Sequence, residues 1–108
     1  MKLEGARILI TGGSSGLGKE MAKVLKNAGA NIVITGRDAD KVSRVASELN
    51  VFGLAADASL EADVLKTFVF VKDKLGGLDV LINNAGFGTF ALLEDITAAE
   101  LENVFKTN

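Results

Sequence analysis

Thr11-Gly12-Gly13-Ser14-Ser15-Gly16-Leu17-Gly18 (TGGSSGLG, residues 11–18) joins a β-branched run, Ala6 to Thr11 (ARILIT), to an amphipathic segment that opens at Leu17. A glycine cluster between a strand and a helix has a definite physical use. Gly12 permits a tight turn, Gly16 permits a pyrophosphate to approach the backbone, and Gly18 permits the helix to pack closely on the sheet. Free backbone N–H groups and the positive helix end then face an anion. The spacing Gly-x-x-x-Gly-x-Gly differs from G-x-G-x-x-G, and no Lys-Ser/Thr follows as in a P-loop. Taken alone the cluster reads equally as a plain tight turn; the flanking strand and helix favour the phosphate reading.

The pattern repeats outward from this turn. Leu17, Met21, Leu25 and Ala28 mark one helical face that stops at Gly29. Asn31 to Thr35 (NIVIT) reads as a second strand, and Val42, Val45, Ala46 and Leu49 line a second helix with Asp38 or Asp40 as its cap. Val51 to Ala56 is a weaker third strand because of Gly53. Ser59 is placed to cap a third helix whose buried side is Val64, Phe68, Val71 and Leu75, closed by Gly76-Gly77. Leu78 to Asn83 (LDVLIN) forms a fourth strand, and Thr97 with Glu100 opens a last helix carrying Leu101, Val104 and Phe105. Strands alternating with helices predict an α/β fold: one doubly wound, Rossmann-like parallel sheet over residues 1–108, four strands in the order 3-2-1-4, helices on both faces.

Composition narrows the chemistry. The 108 residues contain no Cys, His, Tyr, Trp or Pro, which excludes disulfides, thiolate or imidazole metal sites and Cys or His nucleophiles from these residues. Twelve basic and 14 acidic residues give a net charge of −2, which makes no case for nucleic acid or an anionic membrane. No apolar run approaches the roughly 18 residues that span a bilayer. Absence of Cys is compatible with a reducing cytoplasm, the expected location.

TGGSSGLG resembles the TGxxxGxG motif of the short-chain dehydrogenase/reductase family, and GLDVLINNAG (residues 77–86) resembles that family's NNAG stretch after the fourth strand. Each follows the right strand at the expected separation. The resemblance covers the whole chain, and the chain covers the amino-terminal part of the family's domain. It implies an oxidoreductase that moves hydride between a nicotinamide dinucleotide and a carbonyl or alcohol.

The resemblance implies cofactor contacts from Gly12, Ser14, Ser15, Gly16, Leu17 and Gly18, while Lys19 reads as a solvated helix residue. An acidic residue at the end of the second strand accepts hydrogen bonds from ribose hydroxyls; a 2′-phosphate needs a cation instead. Gly36 occupies that position and Arg37 follows, which favours NADP(H) over NAD(H). Arg37 has a second reading, a solvated residue paired to Asp38 or Asp40, and Asp38 would oppose a 2′-phosphate if it pointed inward. Asp57 is implied to meet the adenine amino group and Ala58 to add a backbone contact, although Asp57 equally suits a helix cap or an Asx turn. Asn84, Ala85 and Gly86 are implied to line the nicotinamide-side ribose; Asn83 and Asn84 also suit a side-chain lock between strands. Apolar Phe87, Phe90, Leu92 and Leu93 suit either a substrate wall or core packing.

The family's chemistry rests on an Asn, Ser, Tyr and Lys set. Asn108 matches the Asn position, but as the last residue it reads first as a terminal residue without a role; the chain has no Tyr. Cofactor binding without turnover is the expectation for these residues, the alternative being a non-catalytic module that binds a phosphate ligand or self-assembles. The fourth strand is expected at a sheet edge, which predicts a homodimer or higher oligomer through strand pairing or exchange of the last helix.

Overall fold

Three β-branched runs and one shorter one pair side by side in a computed structural model, which describes residues 2–84 and the backbone of 89–92. The elements are β1 (Arg7–Thr11), α1 (Gly16–Asn27), β2 (Asn31–Gly36), α2 (Ala39–Leu49), β3 (Phe52–Ala55), α3 (Glu61–Leu75), β4 (Val80–Asn83) and β5 (Thr89–Leu92). The strand order is β3-β2-β1-β4-β5, with β1 to β4 parallel as expected. The four expected strands stand in the expected order, and a fifth is added beside them. It runs antiparallel along β4, Val80 facing Leu92 and Asn83 facing Thr89, so β4 is not the sheet edge. β4 therefore offers no bare edge for strand pairing with a second copy. The expected last helix, with Thr97, Glu100, Leu101, Val104 and Phe105, lies outside the described residues.

Strand alternation sorts the core into two layers. Ile8, Ile10, Ile32, Ile34, Val80 and Ile82 point to one face, where Ala22 and Leu25 of α1 and Val42, Val45 and Ala46 of α2 cover them. Leu9, Val33 and Leu81 point to the other, where Val71, Phe70 and Leu75 of α3 meet them. Strands buried on both sides explain the near-continuous apolar runs.

Three details depart from the sequence expectations. Leu17 is 62% exposed. The inward arc of α1 is Gly18, Ala22 and Leu25, because Gly18 is pressed onto the glycine turn and turns its neighbour about 100° outward. On α3, Phe68 is 42% exposed while Thr67 is buried. The Thr67 hydroxyl donates to the Asp63 carbonyl one turn back at 2.7 Å, so a polar residue takes the core position without an unpaired group. Leu60, rather than Ser59, is the N-cap of α3, without a side-chain cap bond.

The base of the sheet is held by a pair 72 residues apart. Asp79 is 1% exposed and accepts from Arg7 three times: Nε at 3.0 Å, Nη2 at 2.8 Å and the backbone N–H at 2.9 Å. The Asp79 N–H returns a bond to the Arg7 carbonyl at 2.8 Å. The Arg7 side-chain bonds hold the Asp79 carboxyl below its ordinary 3.8, against the opposing effect of burial. Because the folded value is the lower one, the unfolded chain takes up the proton first; this stabilisation is complete above about pH 5 and is lost as pH falls through 3.8 toward the folded value. Asp79→Asn is expected to lower the unfolding free energy by about 2–3 kcal/mol at pH 7. It should also flatten the acid loss of stability. Urea midpoints at pH 7 and pH 3 check both; equal midpoints for the two proteins at pH 7 would refute the clasp.

Candidate functional site

The chain moves outward from β1 to β2 to β3, then returns through α3 to lay β4 on the opposite side of β1. Helices α1 and α2 therefore cover one face and α3 the other, and the crossovers separate at the carboxyl ends of β1 and β4. Ligands of open α/β sheets bind at such a point. A cleft of about 540 Å³ lies there, lined by Gly12, Ser14, Ser15, Thr35, Gly36, Arg37, Ala56, Asp57, Ala58, Ser59, Asn83 and Asn84.

The glycine turn is fastened from beneath. The Thr11 hydroxyl donates to Asn83 Oδ1 at 2.8 Å and accepts from the Asn84 N–H at 3.1 Å. Asn84 Nδ2 then donates to the Gly12 carbonyl at 3.2 Å. Gly12 has φ +68° and Gly16 +56°, both in the left-handed region that favours glycine. A Cβ at Gly18 would collide with the Gly12 carbonyl oxygen and lie 2.6 Å from Asn84 Nδ2. Gly18 thus lets the helix, the turn and the end of β4 meet at one point. Asn83 and Asn84 take the interstrand lock read from the sequence.

Helix α1 opens toward the cleft with unusual electrostatics for this molecule. Its N-cap, Ser15, makes no side-chain cap bond, and no acidic residue stands in its first turn. By contrast α2 begins with an Asp38 cap and Asp40, and α3 with Glu61 and Asp63. A Cβ at Gly16 would meet nothing within 4 Å, so that side is open. An uncapped positive helix end beside an open glycine suits a phosphate group. Lys19 does not face this site; it pairs with Glu48 of α2 at 3.4 Å.

On the opposite wall, Asp57 Oδ1 accepts from the Ser59 N–H at 2.9 Å and the Ser59 hydroxyl at 2.6 Å, an Asx turn. The Ser59 side-chain bond, then its backbone bond, hold the Asp57 carboxyl below its ordinary value, with a smaller contribution from the Arg37 charge. Asp57 is therefore an anion and an acceptor. Asp38 accepts from the Lys41 N–H at 3.1 Å as the α2 cap, and among the described residues Arg37 forms no ion pair with Asp38 or Asp40. The exposed Arg37 lines the cleft instead.

Of the residues expected from sequence, Gly12, Ser14, Ser15, Arg37, Asp57, Ala58 and Asn84 line the cleft. Gly16 and Gly18 shape its floor without lining it, and exposed Leu17 lies beside Glu20, Met21 and Val24 on the outer side of α1. Ala85, Gly86 and Asn108 fall outside the described residues. Sequence reasoning missed Thr35, Ala56, Ser59 and Asn83 as lining residues. Thr35 was within reach, since it stands opposite Thr11 in the register of two strands that end together. No helix among the described residues is long and apolar enough to cross a membrane, and no metal-binding cluster occurs among them.

A family model described as short chain dehydrogenase matches residues 6–108. A Bacillus subtilis protein described as the uncharacterized oxidoreductase YvrD is 35% identical over 112 residues, which is all of this chain and 42% of that protein. Among solved structures, a 3-ketoacyl-(acyl-carrier-protein) reductase from Brucella melitensis complexed with NADH superposes with TM-score 0.76 and 40% identity, over 95% of this chain and 44% of the other. The Pseudomonas aeruginosa RhlG/NADP active-site complex gives TM-score 0.74 and 36% identity, over 79% and 36%. The chain thus spans less than half the length of these relatives.

Helix propensity alone would make Gly18→Ala stabilising by about 1 kcal/mol. Collision with a backbone carbonyl reverses that sign, and a net loss of about 1–2 kcal/mol is expected. A thermal melt that rises for Gly18→Ala would refute the three-way contact.

Proposed function

The chain belongs to the short chain dehydrogenase family, and from that premise we propose that these residues are the cofactor-binding part of an NADP(H)-dependent oxidoreductase acting on carbonyl or alcohol substrates. The observation that carries the cofactor preference is the end of β2. Gly36 contributes no carboxylate, Asp38 is committed to capping α2, and exposed Arg37 faces the cleft without either neighbouring Asp as partner. A guanidinium offers two parallel donors to a phosphate, whereas a ribose hydroxyl gains most from an acidic acceptor. One relative is complexed with NADH and another with NADP.

When bound, the nicotinamide ring supplies hydride transfer. The uncapped end of α1 and the open side of Gly16 hold the pyrophosphate, Arg37 and Ser14 face the 2′ position, and Asp57 with Ala58 receives the adenine edge. Asn84, Ala85 and Gly86 are the candidates for the second ribose by family resemblance, and Asn108 is the candidate for the first catalytic residue. The 108 residues contain no Tyr, so we propose cofactor binding without turnover for this polypeptide taken alone. A cytoplasmic location is part of the same proposal.

Self-association remains part of the reading, on a different observation from strand pairing. Leu65, Phe68 and Val69 of α3 are 61%, 42% and 72% exposed and share one arc of the helix. Such an arc suits a second copy of the chain.

Calorimetry with NADP⁺ and NAD⁺ tests the cofactor. The wild type is expected to bind NADP⁺ more tightly, and Arg37→Ala to lose about tenfold or more of that preference, the worth of one charge-assisted bond. Equal wild-type affinities for the two would remove the NADP reading; no binding at millimolar concentration would favour the non-catalytic module. Sedimentation at roughly 100 μM is expected to show a dimer or larger, and a clean monomer there would end the association proposal.

A further inference from the structure

Helix α3 holds its exposed apolar residues and two of its charges in a fixed relation. Glu61, Leu65, Phe68 and Lys72 fall within about 60° of arc along the helix, and Val69 stands beside them. All five are exposed. Along the helix the stripe therefore runs acid, leucine, phenylalanine, base. Glu61 stands in the first turn and Lys72 in the last. Among the described residues neither forms an ion pair within the chain. The apolar residues Leu65 and Phe68 and the charged residues Glu61 and Lys72 share one midpoint, between positions 66 and 67. Lys66, beside that point, is turned about 100° from Leu65 and stands off the stripe.

A stripe with this symmetry is complementary to itself in one orientation. A two-fold axis through the midpoint, at right angles to the helix, lays α3 of a second copy antiparallel on the first. Leu65 then meets the partner's Phe68 and Glu61 meets the partner's Lys72, and each contact is made twice. The parallel orientation instead sets Glu61 on Glu61 and Lys72 on Lys72. Opposed helix dipoles favour the antiparallel choice as well.

We propose that two copies of the chain pair through α3 as antiparallel helices across a two-fold axis, with a Glu61–Lys72 ion pair at each end of an apolar centre. The inference rests on the self-association reading and deepens it by fixing the register and orientation of the contact. Leu65, Phe68 and Val69 supply the attraction, and the charged ends reject the parallel alternative. One helix face from each copy makes a small interface, so the dimer exchanges with monomer.

Sedimentation over a concentration series, with thermal midpoints recorded on dilute protein, tests the pairing. Leu65→Lys keeps the helix propensity at an exposed position, puts a charge in the apolar centre, and is expected to weaken the dimer at least about tenfold. Glu61→Lys alone and Lys72→Glu alone each oppose like charges at both ends and are expected to weaken it about fivefold. The two together are expected to return the dimer to within about twofold of wild type. A double variant as weak as the singles overturns the antiparallel register. Wild-type dimerisation retained by Leu65→Lys overturns α3 as the surface and leaves association to another face. A wild type that stays monomeric at roughly 100 μM overturns the association reading and this inference with it.

Discussion

The hydroxyl of Thr11 is one oxygen atom on which two strands and a loop converge. It donates to Asn83 and accepts from Asn84, whose amide then holds the Gly12 carbonyl. Thr11 is 9% exposed and its bonds are partly buried, so leaving its hydroxyl unpaired would cost stability. Their mutual satisfaction requires β1 and β4 to end at the same level, which the parallel register of Thr11 with Asn83 provides. With that level set, the glycine turn is pinned over the sheet, α1 starts at a defined height, and its positive end aims into the cleft. The Arg7–Asp79 clasp fixes the same two strands at their other end. The floor of the site is therefore braced at top and bottom, and the cleft residues are carried by a rigid sheet.

The walls divide the electrostatic work. Toward α1 the cleft offers uncapped N–H groups and no carboxylate; toward β3 it offers an anion, Asp57, kept ionised by Ser59. Arg37 lies close enough to Asp57 to lower its proton affinity, yet no ion pair joins the two among the described residues. A ligand with a phosphate at one end and an amino-bearing ring at the other matches this separation of charge.

The parts legible in the sequence are those governed by local rules. Apolar β-branched runs gave four strands and their parallel pairing, glycines with positive φ gave the turn, and Asp38 gave the cap of α2. What escaped was decided by contacts between distant residues or by local chemistry that periodicity ignores. The Arg7–Asp79 pair spans 72 residues and has no local signature. Thr67 took a core position because its hydroxyl turns back on its own helix, and Leu17 was pushed outward by the demand on Gly18. The short stretch Thr89–Leu92 carries too little β-branched character to announce a strand, yet an open β4 edge is enough to recruit it.

The same separation governs the order in which the molecule assembles. β1 pairs with β2 across residues 7 to 31, but its contacts with β4 join residues 72 apart. Closing the longer loop costs about 1 kcal/mol more chain entropy, since that cost grows only with the logarithm of length. The kinetic consequence is larger than the thermodynamic one. A chain emerging from the ribosome completes β1, α1 and β2 early, while one flank of β1 waits for a partner made much later. Until Asn83 and Asn84 arrive, the glycine turn has no lower support, so the candidate cleft is completed among the last events of folding.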